Sequence, residues 1–585
     1  MTNERSLHPL AMALTSIVIG VVAGLGAVVF RALIALIHNL VFLGRFSTYY
    51  DANQHTALSP LGFGVVAAVV LAALLVVFLT QNYAPEARGH GVPEVMDAVY
   101  YQRGRIRPVV AVIKALASAL SIGSGGSVGR EGPIIQIGAA FGSITSAYLR
   151  LPLPQRITLI AAGAGGGIAA TFNTPVGGVL FALEILLHEV SVRTLVPVAL
   201  ATATATYLGQ LFFGPHPSFV IPSFETPYFE LANPWVLFAY LGLGLLAGAA
   251  AALYIRTIYG FEDFFNRRFR RRPYLRHALG MTLVGVIFVL LAYYTGHYYT
   301  QGVGYATVQD VLMGRLDGWG FLLLLFVLKL VSTGLTLGSG ASGGIFSPGL
   351  FMGATLGGAY GLILAQVFPA LNLSPPAFAV AGMAGVIGGA TGAAVTAIVI
   401  IFEMTLDYSA VLPMAITVAA SYGLRKALCS ESIYTMKLER RGHPMPDALQ
   451  TNFAYMQPVA QIMKRRVVRL QADTTVAAFL AAHREQLATH WFVAYAEGRP
   501  QGYLSPQDAL GLALKADPEE RIAAYLERDF VLVGERRRLF NLVPMMRRHG
   551  APVALVLGGT NGGVVGVVSA AELGRLTLDV SELYV

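Results

Sequence analysis

The chain reads as an α-helical polytopic membrane protein built on an internal repeat of broken helices, with a small cytoplasmic α/β domain pair at its end. Three observations predict that class. Hydrophobic residues make up 55% of the 585 and charged residues 12%, against roughly 25% charged in an ordinary soluble protein. Charge is also uneven: of 41 Lys+Arg and 32 Asp+Glu, 28 fall within positions 456–585, and the first 455 positions hold the other 45. Finally, glycine-rich stretches recur at a fixed offset.

Apolar runs long enough to cross a bilayer, about 20 residues, fall near 10–40, 60–80, 235–258, 279–294 and 321–337. Runs near 109–122, 134–148, 345–368 and 411–424 are short or broken by Gly and Pro, so hydropathy alone miscounts the spans. The first run is too long for a signal peptide and lacks a small-residue cleavage site, so the start is expected to stay on the protein.

The stretch from Gly123 to Pro133 recurs 215 positions later as Gly338 to Pro348, and the run from Gly163 through Pro175 to Glu184 recurs at an offset of 219 as Gly382 through Ala394 to Glu403. Glycines interrupt apolar segments in both copies. That is the pattern of half-helices whose N-termini point at an ion near the bilayer midplane. Backbone groups freed at such breaks must be satisfied by protein, water or ligand, and N–H groups with the positive end of a helix dipole hold an anion without a lysine. Glycines alone could serve only close helix packing. Two matched runs that carry Pro and an intramembrane Glu point instead to an anion site.

Basic residues set the orientation. Positions 266–276 hold six arginines (Arg267, Arg268, Arg270, Arg271, Arg272 and Arg276), whereas 211–233 hold no Lys or Arg. The first loop is expected in the cytoplasm and the second outside, and Arg425, Lys426, Lys437, Arg440 and Arg441 place the C-terminal part in the cytoplasm as well. Topology then accounts for the net charge of +9, and no nucleic-acid partner is expected. The single cysteine, Cys429, excludes an intrachain disulfide and any multi-cysteine metal site.

Three motifs carry a family resemblance: Gly89-His90-Gly91-Val92-Pro93-Glu94, Gly129-Arg130-Glu131-Gly132-Pro133 and Gly343-Gly344-Ile345-Phe346-Ser347-Pro348, with Tyr434 as a fourth element. Over roughly 10–441 the chain resembles the CLC family of chloride channels and proton-coupled chloride antiporters. The resemblance implies a CLC-type inverted repeat and a homodimer in the lipid bilayer with one pore per subunit. It makes Glu131 the gating glutamate, whose carboxylate competes with an anion. It places Gly129, Arg130, Gly132, the backbone N–H groups of Ile345 and Phe346, and the Tyr434 hydroxyl around that anion. A carboxylate beside N–H donors is an anion mimic, and protonating it frees the site. Glu131 could instead pair with Arg130, and Tyr434 could be an interfacial anchor.

Two departures bear on mechanism. Where the family usually has serine, this chain has His90, which can donate to an anion and attract it more strongly when protonated, or can merely line the mouth. Where coupled antiporters typically carry an inner glutamate, this chain has Ile185, so a proton relay is lost there. Water could substitute. Glu184 and its repeat partner Glu403 are expected to bond to helix ends rather than move protons.

The tail repeats itself too. Gly502, Ser505 and Asp508 match Gly566, Ser569 and Glu572 at an offset of 64, each after a β-rich run and each reading as strand, turn, strand and a Ser-capped helix. This is similar to a tandem pair of CBS domains, which implies an adenine nucleotide held at Asp508 and, in the second unit, Glu572. Helix capping explains the same residues. The expected organisation is a transmembrane domain at 1–441 with repeats near 10–212 and 234–436, a linker at 442–456, and tail units at 457–515 and 521–580.

The expected function is chloride transport, channel-like and gated by Glu131, in a bacterial inner membrane with both termini cytoplasmic. The alternatives are coupled chloride/proton exchange and selectivity for another anion such as bicarbonate or nitrate. A cation transporter would need several acids facing the pore, where Gly, Ser and backbone donors stand. No His cluster, nucleophile with base or metal motif appears, so neither an enzyme nor a required cofactor or metal is expected.

Overall fold

A computed structural model describes residues 6–187, 191–221, 235–445, 457–558 and 563–573. Parts of three expected features lie outside the described residues: the linker at 446–456, the loop without basic residues at 222–233, and the end of the last tail unit at 574–580. The chain divides into two compact units, Met1–Met445 and Pro446–Val585.

Apart from short 3-10 and π turns, the described residues of the first unit form two runs of eight helices and a final short one. The first run is α1 Pro9–His38, α2 Val65–Asn82, α3 Val92–Tyr100, α4 Pro108–Gly123, α5 Glu131–Tyr148, α6 Leu153–Phe172, α7 Pro175–Phe181 and α8 Val192–Phe213. The second is α9 Trp235–Arg268, α10 Pro273–Thr295, α11 Tyr305–Leu312, α12 Trp319–Ser339, α13 Phe346–Val367, α14 Pro375–Thr391, α15 Ala394–Thr405 and α16 Val411–Leu428. The short α17, Thr435–Arg440, closes the unit. The two runs correspond helix for helix, and the offsets of 215 and 219 superpose α4 on α12, α5 on α13, and α6 on α14.

Small residues let these helices cross closely. A Cβ on Gly138 would stand 2.1 Å from Gly163 O, and one on Gly163 2.1 Å from Gly138 O; the repeat mates Gly353 and Gly382 face each other at 2.4 Å in the same way. The α5–α6 and α13–α14 pairs are thus one packing solution used twice.

Seven helices among the described residues are long and apolar enough to cross a membrane, and two differ from the sequence expectation. The run at 345–368, read as short or broken, is the continuous 22-residue helix Phe346–Val367, because its Ser and Pro fall in the first turn, where no intrahelical N–H is lost. Val192–Phe213 was not expected as a span; its Thr residues dilute the hydropathy, and Thr204 and Thr206 bond back to helical carbonyls. The six-arginine loop is tighter than its sequence suggests. Only Phe269–Arg272 separate α9 from α10, and Arg276 is buried, donating to Ser339 O at 2.8 Å and Asn266 Oδ1 at 2.7 Å.

The described residues of the second unit form two three-stranded sheets. After the short helix α18, Val459–Ile462, come β1 Val467–Gln471, α19 Val476–His483, β2 Trp491–Ala496, β3 Arg499–Leu504 and α20 Pro506–Lys515; then β4 Phe530–Gly534, α21 Leu539–His549, β5 Val553–Leu557 and β6 Val564–Ser569. In each sheet the first pair is parallel and the second antiparallel, a topology compatible with a CBS pair. The cores do not follow the expected split at 457–515 and 521–580. Val459 and Met463 pack into the core of the second half, whereas Ile522 packs into that of the first. Val459 N–H donates to Arg537 O at 2.8 Å and Ile522 N–H to Thr474 O at 2.9 Å, so each half lends its leading segment to the other.

Candidate anion site

The loops ahead of α3, α5 and α13 are held together by their own backbones. Gly129 N–H donates to Gly344 O at 2.8 Å and Gly344 N–H to Gly129 O at 2.6 Å, while Gly89 N–H donates to Ala341 O at 2.9 Å and Gly343 N–H to Gly89 O at 3.2 Å. The three motifs are therefore one assembly. Side chains have no room there: a Cβ on Gly132 would lie 1.9 Å from His90 O, and one on Gly344 2.3 Å from Glu131 Oε2.

Glu131 opens α5 and is 2% exposed. Its Oε1 accepts the Ser347 N–H at 2.8 Å and the Ser347 hydroxyl, and its Oε2 is buried with no hydrogen-bond partner. Ser347 lies in the first turn of α13, whose unpaired N–H groups and dipole favour negative charge. A carboxylate thus sits where an anion would be held. Arg130 forms no ion pair with it among the described residues; its guanidinium lies over the rings of Phe172 and Tyr305, 5.7 and 5.4 Å from the centroids. Ile345 caps α13 and Phe346 begins it, with the Tyr254 hydroxyl on Ile345 O at 2.8 Å. The donor on the carboxylate is the next residue, Ser347, which sequence reading passed over although it is the repeat mate of Gly132.

His90 and Tyr434 are both buried, with ring centroids 6.1 Å apart, so Tyr434 is no interfacial anchor. The Tyr259 hydroxyl donates to Ile433 O at 2.6 Å and lies 3.4 Å from His90 Nε2, and His90 Nδ1 is buried without a partner. His90 borders a cavity of about 180 Å³ lined also by Arg88, Gly89, Glu94, Lys437 and Arg441. Glu94 pairs with Lys437 at 3.2 Å and Arg441 at 2.6 Å, fastening α17, which Tyr434 caps, to α3. The positive charges of Lys437, Lys114 and Arg441 all bear on His90, and beside them a neutral imidazole still has one N–H to give an anion.

Ile185 is buried in a π-helical turn, Ala182–Leu187. Its neighbour Glu184 accepts N–H groups of Val395 and Thr396 at 3.3 and 2.8 Å, while Glu403 accepts those of Val176 and Gly177 at 3.0 and 2.7 Å. Each carboxylate caps the broken helix of the opposite repeat, which is the helix-end role expected from sequence.

A third repeated element was missed. Gly302-Val303-Gly304 matches Gly89-His90-Gly91 at an offset of 213, and in both loops each glycine has φ between +54° and +85°, a conformation other residues rarely adopt. Buried Lys114 donates to Ala87 O and Gly89 O at 2.9 and 2.7 Å; its mate Lys329, 215 positions on, donates to Thr300 O and Gly302 O at 3.0 and 2.7 Å. Ile122, eight residues after Lys114, lines a second small cavity with Arg130 and Gly302. Its mate Leu337, eight residues after Lys329, lines the His90 cavity. Eight helical residues span about 12 Å, so α4 and α12 run in opposite senses between two mouths. That is the inversion.

In the tail the two acids take the same local role. Asp508 Oδ2 accepts the N–H and hydroxyl of Ser505 at 3.0 and 2.6 Å, and Glu572 Oε2 does the same with Ser569 at 3.2 and 3.3 Å. Each closes its own capping box.

Fold and site together define a multi-pass membrane protein whose inverted, broken helices converge on a buried carboxylate. The family model described as voltage gated chloride channel matches residues 72–426, and the chain belongs to that family, the CLC proteins. It is 32% identical over 447 residues to the H(+)/Cl(-) exchange transporter ClcA of Vibrio cholerae serotype O1, covering 75% of this chain and 91% of that one. A crystal structure of a slow cyanobacterial Cl-/H+ antiporter matches at 25% identity and TM-score 0.64, covering 76% of this chain and all of the other. A eukaryotic CLC transporter structure shares the fold at 19% identity and TM-score 0.61, covering 96% of this chain and 98% of the other. These relatives are transporters, and the exchangers among them do not favour the channel expectation drawn from Ile185.

Proposed function

We propose that the protein exchanges chloride for protons, with Glu131 as the shared element that binds either a proton or the helix-end position an anion takes. One observation carries the reading: the Glu131 carboxylate is clasped by Ser347 at the start of α13, in competition with any anion there. The exchangers among its relatives support coupling. Gly129, Gly132, the N–H groups of Ile345 and Phe346, His90 and Tyr434 complete the anion's surroundings, and Arg130 faces the outer side. At position 185 an isoleucine offers protons nothing, so water reaching the site serves as the inner relay. The protein works on this reading as a homodimer in a bacterial inner membrane, with the Arg-rich turn and both termini cytoplasmic.

In vesicles holding the purified protein, an imposed chloride gradient should drive protons uphill, and the reversal potential should lie between those of chloride and protons. A reversal potential that follows chloride alone, with no uphill proton movement, would establish a channel.

For the tail, a CBS pair makes an adenine nucleotide the ligand to test. Calorimetry on the full chain should show ATP or AMP binding that weakens several-fold in Asp508→Ala. Binding unchanged by that substitution would leave the carboxylate as a helix cap alone.

A further inference from the structure

The mouth opposite His90 repeats the design of the first one. There the Gly302-Val303-Gly304 loop, clamped by Lys329, borders a cavity of about 20 Å³ lined by Arg31, His38, Tyr50, Arg130, Gln301 and Val303 among others. The loop's mate borders the His90 cavity with Arg88, Lys437 and Arg441. Each mouth thus pairs a lysine-clamped Gly-x-Gly loop with a cluster of cations.

The cations of this second mouth pair with no carboxylate among the described residues. Arg31 lies 4.2 Å above the Phe213 ring and makes no hydrogen bond or ion pair among the described residues. Arg130 lies over two rings, donates to the Tyr305 hydroxyl and to Thr171 O at 3.5 Å, and leaves its Nε buried without a partner. Stacking uses the face of a guanidinium and none of its five N–H donors. The two charges repel each other, and Asp51 offsets part of that repulsion without pairing with either. His38 is already engaged by Thr56 at 3.1 Å and Gln301 at 3.4 Å, so it does not relieve them. Two guanidinium groups that pair with no carboxylate among the described residues, one of them with an orphaned Nε, line one hollow on a low-dielectric protein and form a site that lacks its anion.

Resting on the transport reading above, we infer that Arg31 and Arg130, with the Gly302-Val303-Gly304 loop, form an outer capture site for one small monoatomic anion before it meets Glu131. The hollow is close to the smallest that admits a single water-sized guest, so it suits a halide rather than a nitrate or bicarbonate. Arg31 belongs to α1, outside all three loop motifs.

Crystals of the full chain soaked in bromide should show an anomalous peak between Arg31 and Arg130, reduced or lost in Arg31→Gln and retained in Arg31→Lys. In vesicles, Arg31→Gln should raise the half-saturating chloride concentration on the outer side on the order of 3- to 10-fold, leave the inner-side value in place, and be rescued in part by Arg31→Lys. Two results overturn the site: no bromide there in the unmodified protein, or an outer half-saturation in Arg31→Gln equal to that of the unmodified protein. If Arg31→Gln does not fold, the bromide peak in the unmodified protein and the Arg31→Lys titration decide. Glu131→Gln separates the two readings: an altered pH response there with no Arg31 effect removes the capture site only, while an unaltered response removes the gate.

Discussion

In Glu131→Gln, chloride flux should persist, lose its dependence on outer pH, and carry no protons with it. The amide matches the carboxylate in size and can still accept the Ser347 N–H, but it bears no charge and takes up no proton. Hydrogen bonds to a charged group contribute about 1.5 to 3 kcal/mol, roughly twice a neutral bond. Replacing the two Ser347 bonds to Oε1 by neutral ones therefore weakens the gate's hold on the α13 terminus by about 1 to 3 kcal/mol, or on the order of 10- to 100-fold in competition with an anion. The variant then resembles a permanently protonated gate. Flux recorded across outer pH 4 to 8, with internal pH followed in the same vesicles, checks both parts. A pH response like that of the unmodified protein would move the gate to another residue, and continued uphill proton movement would show that Glu131 is not the proton carrier.

Much of this site was legible before the structure because the duplication preserved glycines. Offsets of 215 and 219 placed Glu131 opposite Phe346 and Glu184 opposite Glu403, and the structure turns those pairings into backbone bridges and reciprocal helix caps. The Gly302-Val303-Gly304 loop escaped because its offset drifts to 213 and only two glycines survive, with His90 and Val303 unlike between them. Ser347 escaped because a serine in the first turn of a helix looks like ordinary capping chemistry, whereas here its hydroxyl turns outward to Glu131. The exchange of leading segments in the tail could not be read at all. A sequence orders segments along the chain, and Val459 reaches its core only through a pairing with Arg537 that no local pattern encodes.

Lys329 should prove the most costly position to neutralise, with its repeat mate Lys114 less so. Both are fully buried, and each ammonium satisfies two carbonyls of a loop whose glycines are held at positive φ. A methionine of similar length fills the space but leaves Thr300 O and Gly302 O without that donor, at about 1 to 3 kcal/mol for each orphaned group, so about 2 to 6 kcal/mol at 329. Ala87 O keeps the Ser342 hydroxyl and Gly89 O the Gly343 N–H, so the loss at 114 is smaller. Lys329→Met should lower the melting temperature of the detergent-solubilised protein more than Lys114→Met does, with Lys→Gln intermediate at each site because an amide restores part of the donation. Their transport effects should part company. Lys114 stands behind the His90 loop and adds its charge to that mouth, so its loss should weaken chloride saturation from the inner side, whereas Lys329→Met should weaken it from the outer side. Melting as in the unmodified protein would show that the carbonyls find other donors. Equal effects on both sides from either variant would break the link between each lysine and its own mouth, and with it the view that inversion gave the two entrances a common design.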